Sequence, residues 1–206
     1  MSKSIEFFFD LSSPWTCLAF YNIQPLAKKT GATIVWRPFL VGGVHNNVNA
    51  AYVEARANNM ASPKWQQLGQ SLMDWAALSC VTMNFPSEHH PLRSVHVMRF
   101  CCALENDQAA LFRFAKAGFE AYYSKQLNLD DPDVLVETAN EIGLDGEALR
   151  TLSQEQSIKD HLRANTSEAI SRGAFGSPSI FVPFGDGHRL YFGNDQLPLV
   201  EWALCS

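Results

Sequence analysis

The sequence predicts an α/β protein in which one mixed sheet is assembled from both ends of the chain and a helical block separates the halves. Three observations carry this prediction. Residues 1–40 alternate an apolar run, an amphipathic helical stretch and a second apolar run, a β-α-β pattern. From Ser179 onward the pattern is β-β-α, and between Pro91 and Arg172 it is helical almost throughout.

Ile5-Glu6-Phe7-Phe8-Phe9-Asp10 is a short apolar run ending in turn residues, as a buried strand requires. Ser12 and Ser13 offer capping hydroxyls, and Pro14 suits a first helical turn, where its missing N–H costs nothing. The helix then runs from Trp15 to about Lys29 and closes at Gly31, with a kink expected at Pro25. Ala32 to Arg37 is the second strand, stopped by Pro38, and a right-handed crossover makes the two strands parallel. Residues 41–61 are rich in Asn, Gly and Ala and fit no pattern. Ser62-Pro63 repeats the cap-then-proline start, and a helix reaches about Leu78. Breaks fall near Asn106, at residues 127–131 and at 143–146, with Asp131-Pro132 opening another helix. Strands follow at Ser179–Val182 and Arg189–Phe192, flanking a turn at 184–187, and Gly193-Asn194-Asp195 leads into a last helix to Leu204. Residues 1–40 and 173–206 would form one discontinuous domain, with a linker and helical insertion at 41–172. No internal repeat is visible.

The 206 residues are 47% hydrophobic and 18% charged, with a net charge of −5 and no cluster of Lys or Arg. That excludes a phosphate-backbone binder, so no nucleic-acid partner is expected. No apolar stretch reaches the ~20 residues that cross a bilayer, and Met1 to Glu6 is no signal region. A cytoplasmic location without membrane attachment is the expectation. The five cysteines form an odd set without C-x-x-C spacing and are read as buried or semi-buried thiols. Of the six histidines, His89-His90 precede Pro91 in a loop-like stretch and lack helical metal-site spacing, so no metal is predicted.

A helix N-terminus presents unpaired N–H groups and about half a positive charge. A thiolate or other anion placed over Ser13 would be stabilised, and the Ser13 hydroxyl would donate to it. Plain capping by Ser13 is the alternative. The surrounding string Asp10-Leu11-Ser12-Ser13-Pro14-Trp15 resembles the Asp-x-x-Ser-Pro start of 2-hydroxychromene-2-carboxylate isomerases and kappa-class glutathione transferases. Gly173-Ala174-Phe175-Gly176-Ser177-Pro178 is similar to their Gly-x-Phe-Gly-x-Pro. Phe192-Gly193-Asn194-Asp195-Gln196-Leu197 is similar to their Trp/Phe-Gly-Ser/Asn-Asp-Arg-Leu. In order, the three strings span residues 7 to 197. The resemblance implies a thioredoxin-like fold with a helical insertion, as in DsbA.

Disulfide exchange in that superfamily uses two thiols as C-x-x-C, but here the positions read Ser13-Pro14-Trp15-Thr16. With the attacking thiol absent, a disulfide oxidoreductase is not expected; the resemblance implies that the sulfur comes with glutathione as cofactor. It makes Pro178 a cis-proline and has Ser177 bind the cysteinyl backbone. It assigns Asn194 and Asp195 to the γ-glutamyl end, simple N-capping being compatible with this. Lys64 would take the glycyl carboxylate, a solvated lysine being the equal alternative. A supporting asparagine would be Asn58 or Asn59, although the family's neighbouring prolines are missing. The expected activity is isomerisation of a small aromatic or conjugated substrate, with Ser13 catalytic and Trp15, Trp36 and Phe39 as acceptor-pocket candidates, core packing explaining those three equally well. The alternatives are a glutathione transferase, or a non-catalytic module that binds a peptide or partner. A homodimer is the family expectation.

Overall fold

The computed structural model describes residues 3–48 and 62–206. Its sheet has the strand order β2-β1-β3-β4, with β1 Ser4–Phe9, β2 Thr33–Pro38, β3 Ser179–Phe184 and β4 Gly187–Phe192. β1 pairs parallel with β2, placing Phe7 beside Trp36, and antiparallel with β3, placing Phe7 beside Ile180. β3 and β4 form the antiparallel hairpin. Helix α1, Pro14–Thr30, makes the β1–β2 crossover and ends at Gly31, whose φ of 70° is the left-handed closure that glycine allows.

Side chains of β1 alternate across the sheet, and both faces are covered, which is why Phe7, Phe8 and Phe9 are all buried. Phe7 and Phe9 join the larger core with Leu18, Phe20 and Trp36. Phe8 belongs to a second cluster with Phe39, Val44, Ala169, Ala174 and Phe181. The aromatic run is therefore the layer that binds two cores together.

The intervening chain is helical: α2 Val41–Val48, α3 Pro63–Leu78, α4 Val95–Ala103, α5 Gln108–Phe119, a π-helical turn Glu120–Ser124, α6 Pro132–Glu141, α7 Gly146–Gln154 and α8 Gln156–Ser171. A 3-10 turn, Asn194–Gln196, precedes α9, Leu197–Cys205. Three details differ from the sequence expectation. Residues 41–48, which fitted no pattern, form a helix. Strand β2 includes Pro38; it is an edge strand, where a missing donor is tolerated. A break separates α7 from α8 at Glu155, which is extended at φ −63° and ψ 143°. No proline or glycine marks that break. Among the described residues, no helix is long and apolar enough to cross a membrane.

Candidate functional site

The loop between β1 and α1 meets the loop before β3. Ser13 caps α1 from an extended conformation, and its Oγ accepts from the Thr16 N–H at 3.2 Å. The same hydroxyl donates to the Ser177 carbonyl at 3.1 Å. Ser177 precedes Pro178 through a cis peptide bond. Its own Oγ accepts from the Asp10 N–H at 3.0 Å and shares a hydrogen bond with Thr16 Oγ1 at 2.7 Å. Both positions that would carry thiols in a C-x-x-C site, Ser13 and Thr16, are thus hydroxyls bonded to Ser177.

Asp10 holds this loop from below. Its fully buried carboxylate accepts from Ser12 N–H (2.9 Å), Ser12 Oγ (2.8 Å), Val41 N–H (2.9 Å) and Ser94 Oγ (2.9 Å). Burial pushes the carboxyl pKa up, and these hydrogen bonds pull it back. Val41 begins α2 and Ser94 precedes α4, so one side chain ties both helices to the Ser13 loop. Tyr123 Oη adds a bond to the Leu11 carbonyl at 3.1 Å.

The last helix is joined to the same place. The Gly193 N–H donates to the Pro178 carbonyl at 3.4 Å. Gly193 has φ 98°, and a Cβ there would lie 2.8 Å from Asp195 Oδ1, so only glycine fits. Asn194 is buried, and its Oδ1 accepts from Asn22 Nδ2 at 2.8 Å, while its own Nδ2 is buried without a partner among the described residues. Asn22 Nδ2 also donates to Ser79 Oγ at 2.8 Å. Asp195 is exposed beside Gln196.

The structure therefore brings Ser13, Ser177 and Pro178 together and connects them to Asn194 and Asp195 through Gly193. Lys64 is exposed in the first turn of α3 and makes no ion pair among the described residues. Asn58 and Asn59 lie outside the described residues. Trp36 and Phe39, acceptor-pocket candidates from sequence, are core residues, whereas Trp15 is half-buried. Asp10's carboxylate, Asn22 and Ser94 were not singled out by sequence, and Thr16 was named only as the second C-x-x-C position. Their partners are remote in the chain, and Asp10 within the Asp-x-x-Ser-Pro string was the only signal.

No cysteine stands at either C-x-x-C position, Ser13 or Thr16. Cys17, next to Thr16, is buried, and burial pushes its thiol far above the range in which a thiolate forms at neutral pH. All five cysteines are free. One turn beyond Ser13, a cavity of about 250 Å³ opens between α1, residues 79–82 and the π-helical turn, lined by Cys17, Tyr21, Cys80, Val81, Phe119 and Glu120 among others.

A family profile described as a DSBA-like thioredoxin domain matches residues 4–204. The chain belongs to the DSBA-like thioredoxin family. Within it, the chain is 28% identical over 208 residues to a 2-hydroxychromene-2-carboxylate isomerase of Sphingobium xenophagum, covering 98% of this chain and 97% of that one. It is 24% identical to glutathione S-transferase kappa 2 of Caenorhabditis elegans, covering 96% and 90%. A solved structure of 2-hydroxychromene-2-carboxylate isomerase superposes with a TM-score of 0.76 at 24% identity, covering 98% of this chain and 94% of that one. For the DSBA-like family this is the thioredoxin fold with its helical block, and the enzymes among these relatives carry isomerase and transferase names.

Proposed function

We propose that this protein is a glutathione-dependent isomerase of the 2-hydroxychromene-2-carboxylate isomerase type, acting on a small aromatic or conjugated substrate. The observation that carries the reading is the Ser13 hydroxyl at the N-terminus of α1, opposite cis-Pro178, with no thiol at either C-x-x-C position. Glutathione, when bound, supplies the thiol that serves as nucleophile.

The residues present fit that cofactor. Ser13 is half-buried, so its hydroxyl faces a partly open site, and the first N–H groups of α1 add positive potential there. Ser13 holds a hydrogen bond to the sulfur and favours its thiolate form. Ser177 presents backbone groups to the cysteinyl residue. Asp195, exposed at a helix start, pairs the γ-glutamyl ammonium, and Asn194 Nδ2, without a partner among the described residues, is a donor for the adjoining carboxylate. Lys64 and Asn59 are proposed for the glycyl end. By the same resemblance the protein works in the cytoplasm as a homodimer, which light scattering reads as mass.

The test is isomerisation of 2-hydroxychromene-2-carboxylate with and without reduced glutathione. Turnover should require glutathione, and S-methylglutathione should inhibit it. Turnover that is indifferent to glutathione, or no thermal stabilisation by millimolar glutathione, defeats the proposal. If the protein instead conjugates glutathione to an electrophilic halonitrobenzene and does not isomerise the chromene, the transferase alternative holds, with the same Ser13 role.

A further inference from the structure

Beside the edge strand β2, whose Arg37 reaches Glu105, three chemically different metal ligands converge. The Cys102 thiol, a Glu105 carboxylate oxygen and a ring nitrogen of His161 all lie within 4.8 Å of one another. Cys102 is in the last turn of α4 and Glu105 follows three residues later, while His161 arrives from the neighbouring α8. Sequence separation hides the trio, since His161 is remote from the other two. Cys102 is buried, Glu105 half-buried and His161 exposed, so the cluster runs from solvent down to a thiol.

The carboxylate is already fixed from outside the trio. Asn165, itself buried, donates from Nδ2 to Glu105 Oε2 at 2.7 Å, and Arg37 Nε lies 3.1 Å from Glu105 Oε1. That is the outer-shell support that orients metal-binding carboxylates. His161 Nε2 is 2.7 Å from the same Oε2, so a proton now sits between two ligand atoms. The charge balance also leaves room for a cation. The guanidiniums of Arg37 and Arg172 are ringed by the carboxylates of Glu6, Glu105 and Glu168, three against two.

We propose that Cys102, Glu105 and His161 form a binding site for a borderline divalent transition metal of the zinc class, with a fourth coordination position open to solvent. A thiolate and an imidazole select zinc, cobalt or nickel over magnesium or calcium, and a single carboxylate completes a three-ligand tetrahedral set. The ion replaces protons. Cys102 gives up its thiol proton to solvent as the S–metal bond forms, and the proton between His161 Nε2 and Glu105 Oε2 also leaves to solvent, the ring binding through Nε2 as the neutral imidazole with its one proton on Nδ1. Thiolate and carboxylate then balance the ion's double charge. Metal–ligand bonds of about 2.0–2.3 Å require the three atoms to close inward. The exposed His161 side chain can make that movement. The ion would pin α4 to α8 and, through Arg37, both helices to β2, independently of anything bound at Ser13.

The experiment uses the full chain carrying Cys80→Ser and Cys205→Ser, which removes the exposed thiols. Cobalt(II) titration should give a thiolate-to-metal charge-transfer band and tetrahedral d–d bands saturating at one ion per chain, with at least one proton released and zinc displacing the cobalt. Cys102→Ser should abolish the charge-transfer band, and His161→Ala should weaken binding roughly tenfold or more. His161 is exposed, so its variant tests the site even if Cys102→Ser fails to fold. Absence of the band in the parent protein, or a band of undiminished affinity in His161→Ala, overturns the proposal. Glutathione-dependent turnover, measured alongside, reports on the Ser13 site separately.

Discussion

Ser13 Oγ donates its one proton to the Ser177 carbonyl at 3.1 Å, while its oxygen accepts from the Thr16 N–H at 3.2 Å. The oxygen is therefore held and only the proton can turn. An anion above α1 competes with the Ser177 carbonyl for that proton, so thiolate formation should be accompanied by a change of hydrogen-bond partner at Ser13. Exchanging a neutral bond for a charge-assisted one gains about 1–2 kcal/mol. Ser13→Ala should therefore raise the pKa of bound glutathione thiol by about one unit and slow turnover about tenfold. The pH–rate profile measures this, and Ser13→Thr, which retains the hydroxyl, should restore most of it.

Ser177 Oγ serves the buried Asp10 N–H and the Thr16 hydroxyl together. Ser177→Ala should lower the unfolding free energy by about 1–3 kcal/mol, because both groups are left unpaired away from water. Thr16→Val removes one of those groups. In a double-mutant cycle read by urea unfolding, the two changes should cost less together than the sum of each alone.

The buried Asp10 carboxyl gives a pH signature with a defined sign. Burial raises its pKa in the folded state above the unfolded value, so the folded protein holds this proton more tightly. Asp10's contribution to stability should therefore fall as pH rises through the usual carboxylate range to its raised folded value, then level off. Asp10→Asn should remove that step from the stability–pH curve. It should also cost about 1–3 kcal/mol at neutral pH, because an amide NH₂ would face donors that now bond a carboxylate oxygen. Chemical denaturation across the acid range checks both effects.

Two glycines separate packing from propensity. A Cβ at Gly118, in α5, would lie 2.4 Å from Leu11 Cδ2, against the loop that carries Ser13. Gly118→Ala should cost about 1–3 kcal/mol by overpacking and weaken the response to glutathione. A Cβ at Gly69, in α3, meets nothing within 4 Å among the described residues. Gly69→Ala should instead stabilise by about 0.5–1 kcal/mol, the propensity difference in an exposed helix. Thermal melts of the two variants should move in opposite directions.

Much of this arrangement was legible in the sequence where the cause is local. Ser13-Pro14 and Asp131-Pro132 announce helix starts, and both caps are made by those side chains. Gly31 announces a left-handed closure, and the Phe7-Phe8-Phe9 run announces a strand covered on both sides. What was not legible depends on distant partners. Ser177 meets Asp10 and Thr16 from more than 160 residues away, and Ser94 meets Asp10 from 84. Val41–Val48 eluded a periodicity reading because its Gly42 and Gly43 oppose helix formation. Val44 nonetheless buries against Phe8 and Phe39, so tertiary packing outweighs propensity there. Trp36 stayed open between pocket and core for the converse reason: an aromatic near a motif carries no mark saying which face of β2 it occupies.

The central claim is that Ser13 activates the sulfur of glutathione bound between α1 and cis-Pro178. The most direct measurement is the thiolate absorbance of the glutathione complex as a function of pH, in wild type and Ser13→Ala. The account predicts saturable binding, a bound-thiol pKa below that of free glutathione, and an upward shift in the variant. Binding with an unshifted pKa, or the same pKa in both proteins, would contradict it.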